Sequence, residues 1–154
     1  MSTPPTQLAL PDEADTAAFA ARIAPLLRPG DTILLEGAIG AGKSAFSRAL
    51  IRARLGRMED VPSPTFTLVQ TYEDPAGDIW HCDLYRLTHP DEAFELGLDD
   101  AFATAICLIE WPDRLGSDTP KGALRLTFSA EPTGHAVAID APPVWAARLD
   151  NLDG

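Results

Sequence analysis

Cysteine is scarce in this chain: Cys82 and Cys107 are the only two, and no Cys-x-x-Cys spacing links them. That argues against a disulfide framework and against a cysteine-built zinc site. No apolar run reaches the roughly 18–20 residues that a membrane-spanning helix needs. The opening Met1-Ser2-Thr3-Pro4-Pro5 has neither the basic start nor the apolar stretch of a secretory signal, so a cytoplasmic location is expected. Positive charge is in short supply as well. Twelve Lys and Arg stand against 23 Asp and Glu, giving a net charge of −11 and a pI near 4.5. A free-standing nucleic-acid binder neutralises phosphates with a basic surface, so that class is disfavoured. Any nucleic acid in this protein's biology is expected to be met through another protein.

What is present fits one compact unit. The 154 residues and 45% apolar content suit a single domain over 1–154, with residues 1–6 as a flexible tip. Gln7–Leu10 reads as a short strand. Pro11-Asp12-Glu13 opens a helix whose buried face carries Phe19, Ile23, Leu26 and Leu27, shortened or kinked at Pro25 and closed by Arg28-Pro29-Gly30. Thr32–Glu36 is β-prone, and Ser44–Leu55 is helical up to Gly56. Pro62 and Pro64 make 59–64 a loop, Phe66–Tyr72 alternates like a strand, and the turn at Asp74–Gly77 pairs it with Ile79–Asp83 as a hairpin. A short helix over Asp91–Leu96 ends at Gly97, and Ala105–Ile109 is apolar throughout, as a strand covered on both faces would be. Leu124–Phe128 and Ala136–Ile139 form a final antiparallel pair, and Pro142-Pro143 begins a helix to Leu149. The alternation predicts an α/β fold of three layers, of the P-loop NTPase kind, with a mostly parallel central sheet and added antiparallel strands.

The chemistry centres on Gly37-Ala38-Ile39-Gly40-Ala41-Gly42-Lys43-Ser44, which fits the phosphate-binding pattern G-x-x-x-x-G-K-S/T. Glycines let successive backbone N–H groups turn toward phosphate oxygens, and the following helix adds its positive end. Gly37, Gly40, Ala41, Gly42, Lys43, Ser44 and Ala45 thus form the expected phosphate cradle. Lys43 supplies a charge for the β- and γ-phosphates, and the Ser44 hydroxyl a ligand for Mg2+. The composition gives such a match by chance in roughly one sequence per thousand. Lys43 is one of just two lysines, the other being Lys121.

Two strands end in acids. Ile106-Cys107-Leu108-Ile109-Glu110 closes an apolar run on a carboxylate, the Walker B pattern, and Ile79–Asp83 does the same. In α/β sheets ligands sit beyond the carboxyl ends of the strands, so Glu110 and Asp83 are candidates to bind Mg2+ or to orient an attacking water. Which of the two handles the water is left open. His81 and Cys82, lacking further spaced ligands, read as buried core. Guanine recognition by Asn-Lys-x-Asp is excluded because Asn151 is the only asparagine, which leaves ATP as the expected nucleotide. Arg48, Arg52, Arg54 and Arg57 read as a solvated helix face, or else as a docking patch for an acidic partner or RNA.

With these residues in place, the chain resembles the bacterial TsaE family, ATPases of tRNA threonylcarbamoyladenosine biosynthesis. The resemblance rests on the P-loop, on Ser63-Pro64-Thr65-Phe66-Thr67-Leu68-Val69, on His81-Cys82-Asp83-Leu84-Tyr85-Arg86-Leu87 and on Leu108-Ile109-Glu110-Trp111-Pro112. Glu95-Leu96-Gly97-Leu98 stands between the last two blocks. It implies ATP hydrolysis with Mg2+ in association with a TsaB–TsaD pair, with tRNA met through those partners and no membrane. It further implies that Lys43 and Ser44 hold MgATP, Thr65 lies near the γ-phosphate, Asp83 is a Mg2+-associated acid, Glu110 the Walker B carboxylate and Trp111 a neighbour of the nucleotide. Trp111 also reads as a core aromatic under Pro112. Ala38, Ala45 and Cys82 depart from the family pattern, which commonly has an acid, a threonine and an aromatic there. The alternative reading is a small-molecule kinase of the P-loop class, although no Arg-rich lid segment is evident.

Overall fold

The computed structural model describes residues 6–37, 42–56, 69–74, 77–85, 87, 89, 91–120, 122–131 and 134–149. Gly40, Ala41 and Thr65, expected at the site, lie outside the described residues, as do Ala38, Arg57 and Arg86.

Strands β1 (Thr6–Leu10), β2 (Thr32–Glu36), β3 (Val69–Tyr72), β4 (Ile79–Asp83), β5 (Ile106–Glu110), β6 (Leu124–Glu131) and β7 (Gly134–Asp140) form one sheet in the order β1-β7-β6-β2-β5-β4-β3. The four inner strands β6, β2, β5 and β4 run parallel. The flanking pairs β1–β7, β6–β7 and β3–β4 are antiparallel. The sheet is therefore mixed: its centre is parallel, as expected, but half of its six pairings are antiparallel. The antiparallel neighbours β3–β4 and β6–β7 follow each other directly in sequence, whereas each parallel neighbour needs a helical or irregular crossover.

Helix α1 (Glu13–Ile23) begins at a reciprocal cap: Asp15 N donates to Asp12 Oδ1 at 3.0 Å, and Asp12 N donates to Asp15 Oδ2 at 3.3 Å. The bond from Asp15 N stabilises the ionised Asp12 carboxylate and so lowers its pKa from the ordinary value. Its buried positions Thr16, Phe19, Ala20 and Ile23 follow helical spacing. As Pro25 predicts, the helix then tightens into a 3-10 turn over Ala24–Leu26. Helix α2 (Lys43–Leu55) buries Phe46, Ser47, Leu50 and Ile51, and ends at Gly56, whose φ of +70° allows its N–H to reach Arg52 O at 2.9 Å. Helices α3 (Asp91–Glu95), α4 (Leu98–Thr104) and α5 (Pro143–Leu149) complete the set. α4 and a 3-10 segment over Pro112–Asp118 are additions to the sequence-based reading.

Two cores result, one on each face of the sheet. Ile33 and Leu35 of β2 and Ile106 and Leu108 of β5 join residues of α1, α2 and α5 on one face. There Phe19, Phe46 and Phe128 pack ring against ring, with centroids 5.6 and 5.5 Å apart. Leu34, Cys107 and Ile109 join Ala93, Leu98 and Ala101 of α3 and α4 on the other. The alternation along β2 and β5 is the period-two rule of a strand that is covered on both sides.

Several arginines are paired within the fold. Arg54 donates from Nε to Asp74 Oδ2 at 2.6 Å and from a guanidinium nitrogen to the carbonyls of Ala24 and Leu27. It is thus a tie between α2 and neighbouring loops, which corrects its reading as part of a solvated face. Arg125 pairs with Glu36 at 2.6 Å, and Arg148 with Asp31 at 2.7 Å. No helix among the described residues is long and apolar enough to cross a membrane.

Candidate functional site

The inner strands deliver their carboxyl ends to one place. β2 ends at Glu36 and passes into Gly37, whose φ is +131°. A Cβ at Gly37 would stand 2.3 Å from Phe128 O on β6, so only glycine permits this approach of loop and strand. Helix α2 opens after Gly42 with no side-chain cap and no acid in its first turn. Its leading N–H groups, without a side-chain acceptor, form a site suited to an anion. Ser44 is exposed at this end and Ala45 half-buried.

Lys43 is buried, only 5% exposed, and its Nζ lies 4.2 Å from the centroid of the Trp111 ring. Among the described residues it makes no ion pair. A buried ammonium resting on an indole face is attracted to the ring's negative quadrupole, yet it keeps its capacity to bond an anion. Lys43, Glu36, Gly37, Trp111 and Asp113 line a cavity of about 280 Å³. Glu36 was not foreseen here; it borders the cavity with its carboxylate held by Arg125.

β4 and β5 bring the two acids side by side. Their parallel register sets Asp83 opposite Glu110 and His81 opposite Leu108. Counting by twos, Ile79, His81 and Asp83 share the face of Ile106, Leu108 and Glu110, which is the α2 face of the sheet. Both carboxylates are buried, at 6% and 4% exposure. Asp83 Oδ1 accepts from Tyr85 N at 3.0 Å, and Glu110 Oε2 lies 2.9 Å from His81 Nε2. His81 is as buried as expected, but it is engaged with Glu110 and is more than a core filler. Among the described residues no group of three or more His, Cys, Asp or Glu side chains is arranged to hold a metal. Two paired carboxylates and, at the start of α2, the exposed Ser44 hydroxyl are the donor types that Mg2+ takes from proteins when phosphates and water supply its remaining ligands.

Trp111 follows Glu110 at φ +59°, ψ +54°, and among the described residues it is the only non-glycine with positive φ. A bulky side chain in the left-handed region costs about 1–3 kcal/mol and persists where surroundings over-determine it. Here the surroundings include Lys43 over the ring and Tyr85, whose ring centroid lies 4.9 Å away. Trp111 is half-buried and borders both the cavity and the core under α4, so the two readings of it are compatible. The strand ends thus bring together Gly37, Gly42, Lys43, Asp83, Glu110 and Trp111.

Comparison with known proteins agrees with this arrangement. A sequence model of the family described as "Threonylcarbamoyl adenosine biosynthesis protein TsaE" matches residues 10–137. A Rickettsia bellii protein named "tRNA threonylcarbamoyladenosine biosynthesis protein TsaE" is 44% identical over 108 residues, 70% of this chain and 75% of its own length. Proteins of the same name from Bacillus subtilis and Treponema pallidum are 37% and 33% identical, covering 74% and 79% of this chain and 71% and 89% of their own. The crystal structure of Bacillus subtilis YdiB superposes with a TM-score of 0.79 at 25% identity, covering 99% of this chain and 96% of that one. A match over most of the chain, with relatives well above 30% identity, leaves one conclusion: the chain belongs to the TsaE family of tRNA threonylcarbamoyladenosine biosynthesis proteins.

Proposed function

We propose that the chain is the ATP-binding and ATP-hydrolysing member of the tRNA threonylcarbamoyladenosine machinery, working with TsaB and TsaD as one three-layer P-loop domain. The observation that carries this reading is Lys43: a buried ammonium with no carboxylate partner among the described residues, lying over the Trp111 ring at the head of a helix without a side-chain cap. Burying an unpaired cation is costly unless something anionic completes it, and nucleotide phosphate does so.

In this reading Gly37, Gly40, Ala41, Gly42 and Ala45 contribute the backbone cradle, and Lys43 leaves the Trp111 face to pair with phosphate oxygen. Ser44, Asp83 and Glu110 would hold Mg2+, which when bound spreads the charge of the phosphate oxygens. Glu110 or Asp83 orients water in line with the γ-phosphorus, each being a buried carboxylate able only to accept a proton or hydrogen bond when ionised. Thr65 and Trp111 border the nucleotide. Catalysis of this kind is positioning plus electrostatics, which suits side chains anchored at strand ends. TsaB and TsaD carry the tRNA chemistry, a division that the net charge of −11 supports, since it suits this chain poorly to holding tRNA itself. The small-molecule kinase alternative gains no observation of its own.

The test is phosphate release from ATP by Lys43→Ala in the presence of TsaB and TsaD. Loss of one preorganised charge at a transferring phosphoryl group is expected to lower turnover by about 100-fold or more. Unchanged turnover would overturn the assignment.

A further inference from the structure

We propose that His81 is a positioning residue, whose Nε2–H holds the Glu110 carboxylate in one orientation for work on the attacking water. The inference rests on the reading of Glu110 given above and adds a residue that neither the Walker patterns nor the phosphate loop contains.

The pairing follows from the sheet. His81 lies opposite Leu108 and Asp83 opposite Glu110, so His81 and Glu110 are diagonal neighbours on one face, within reach of long side chains. Nε2 and Oε2 are 2.9 Å apart, and the two side chains are 2% and 5% exposed. In so dry a place the contact does not exchange with solvent, and hydrogen bonds to an ion are strong there. An ionised carboxylate only accepts, so Nε2 must carry the proton. Nδ1 is buried and, among the described residues, has no partner, so Nε2 is the nitrogen through which the ring acts.

The choice of imidazole has a physical logic. A glutamate side chain has three free torsions, and a single N–H anchored on the sheet removes most of that freedom. Among the described residues Oε1 accepts no hydrogen bond, so the anchored carboxylate keeps one oxygen for another donor. A neighbouring Arg or Lys would anchor equally well but would add a fixed positive charge that weakens the pull of Glu110 on a water proton. One N–H on a ring wedged between strands orients the carboxylate without that cost.

The experiment compares His81→Gln, His81→Leu and Glu110→Gln in ATP turnover with TsaB and TsaD. Thermal unfolding of each variant and the imidazole 15N shifts of the nucleotide-free parent chain are recorded alongside. The glutamine amide sits near the position of Nε2 and can still donate, whereas leucine fills the space without a donor. His81→Leu is expected to lower kcat by about 10–100-fold, the range for residues that orient a functional side chain, with KM for ATP within about threefold of the parent. His81→Gln regains kcat to within about threefold of the parent, whatever its melting temperature. The 15N shifts report the proton on Nε2. Equal losses in His81→Gln and His81→Leu, an unchanged kcat in a folded His81→Leu, or a proton on Nδ1 overturns the proposal. Should His81→Leu fail to fold, a His81→Gln kcat below that range overturns it, and a kcat within it, with the proton on Nε2, upholds it. A slow Glu110→Gln beside an unimpaired His81→Leu refutes His81 alone, while an unimpaired Glu110→Gln removes the reading of Glu110 and this inference with it.

Discussion

Replacing Gly37 by alanine tests the close approach on which the site is built. The new Cβ would stand 2.3 Å from Phe128 O and 3.1 Å from the carbonyl carbon. An ordinary C···O contact is about 3.3–3.6 Å, so loop and strand must part by roughly 1 Å. Neither partner yields easily: Phe128 is paired with Val137 on β7, and Glu36 with Thr127 on β6. Overpacking of this kind costs about 1–3 kcal/mol, and the φ of +131° at a residue with a side chain about 1–3 kcal/mol more. The expected loss is therefore about 4 kcal/mol, a large share of the ~5–15 kcal/mol that holds a domain folded. In melting temperature that is about 8–16 °C for a chain of this size. Gly56→Ala provides the comparison, because at φ +70° nothing lies within 4 Å of its Cβ. It bears the backbone penalty alone, about 1–2 kcal/mol. Urea unfolding followed by circular dichroism, with equal slopes for parent and both variants, measures the difference. If Gly37→Ala is no worse than Gly56→Ala, the contact with Phe128 does not constrain the loop.

Two further perturbations probe the frame around the site. Arg54→Ala withdraws the guanidinium from Asp74, whose side chain is 4% exposed, and from the carbonyls of Ala24 and Leu27. A loss of about 3–5 kcal/mol is expected in urea unfolding, and a loss below about 1 kcal/mol would mean the tie is dispensable. Burial pushes the Cys107 thiol up to about 12 and that of Cys82 well above its ordinary value. The folded chain therefore keeps these protons to higher pH than the unfolded one. Stability from this source is complete below the unfolded thiol pKa of about 8.5 and declines above it, by about 1.4 kcal/mol per pH unit for each thiol. Urea midpoints from pH 8 to 11 are expected to fall more steeply for the parent than for a Cys82→Ala/Cys107→Val double variant, and parallel curves would refute the linkage.

The parts of this molecule that were readable in sequence are the ones whose causes are local. The strand before Lys43 and the helix after it, the helix start at Pro11-Asp12-Glu13 and the reversal between Asp74 and Gly77 each depend on residues a few positions apart. Helix α4 was missed because seven residues bury only Leu98 and Ala101, too few for a periodic signal. Arg54 was misread because its partner, Asp74, lies 20 residues away and is brought near only by packing. His81 illustrates the same limit at the site. Its spacing of two from Asp83 was visible, but its 29-residue separation from Glu110 closes only once β4 is known to lie beside β5 in register. Mixed strand order belongs to this class too, since which strand lies beside which is decided by how the two cores close.

The pairing of Arg54, Arg125 and Arg148 with acids has a consequence at long range. With those cations matched to Asp74, Glu36 and Asp31, the excess negative charge is carried by the outer surface. Salt screens its field beyond about 8 Å at physiological ionic strength, so an approaching anion is repelled only once it comes inside that distance. Attraction begins only within the last few ångströms, where the ammonium of Lys43 and the amides of α2 outweigh the rest. Anion capture by this protein is thus a contact event, decided by fit at the site after an encounter that electrostatics opposes.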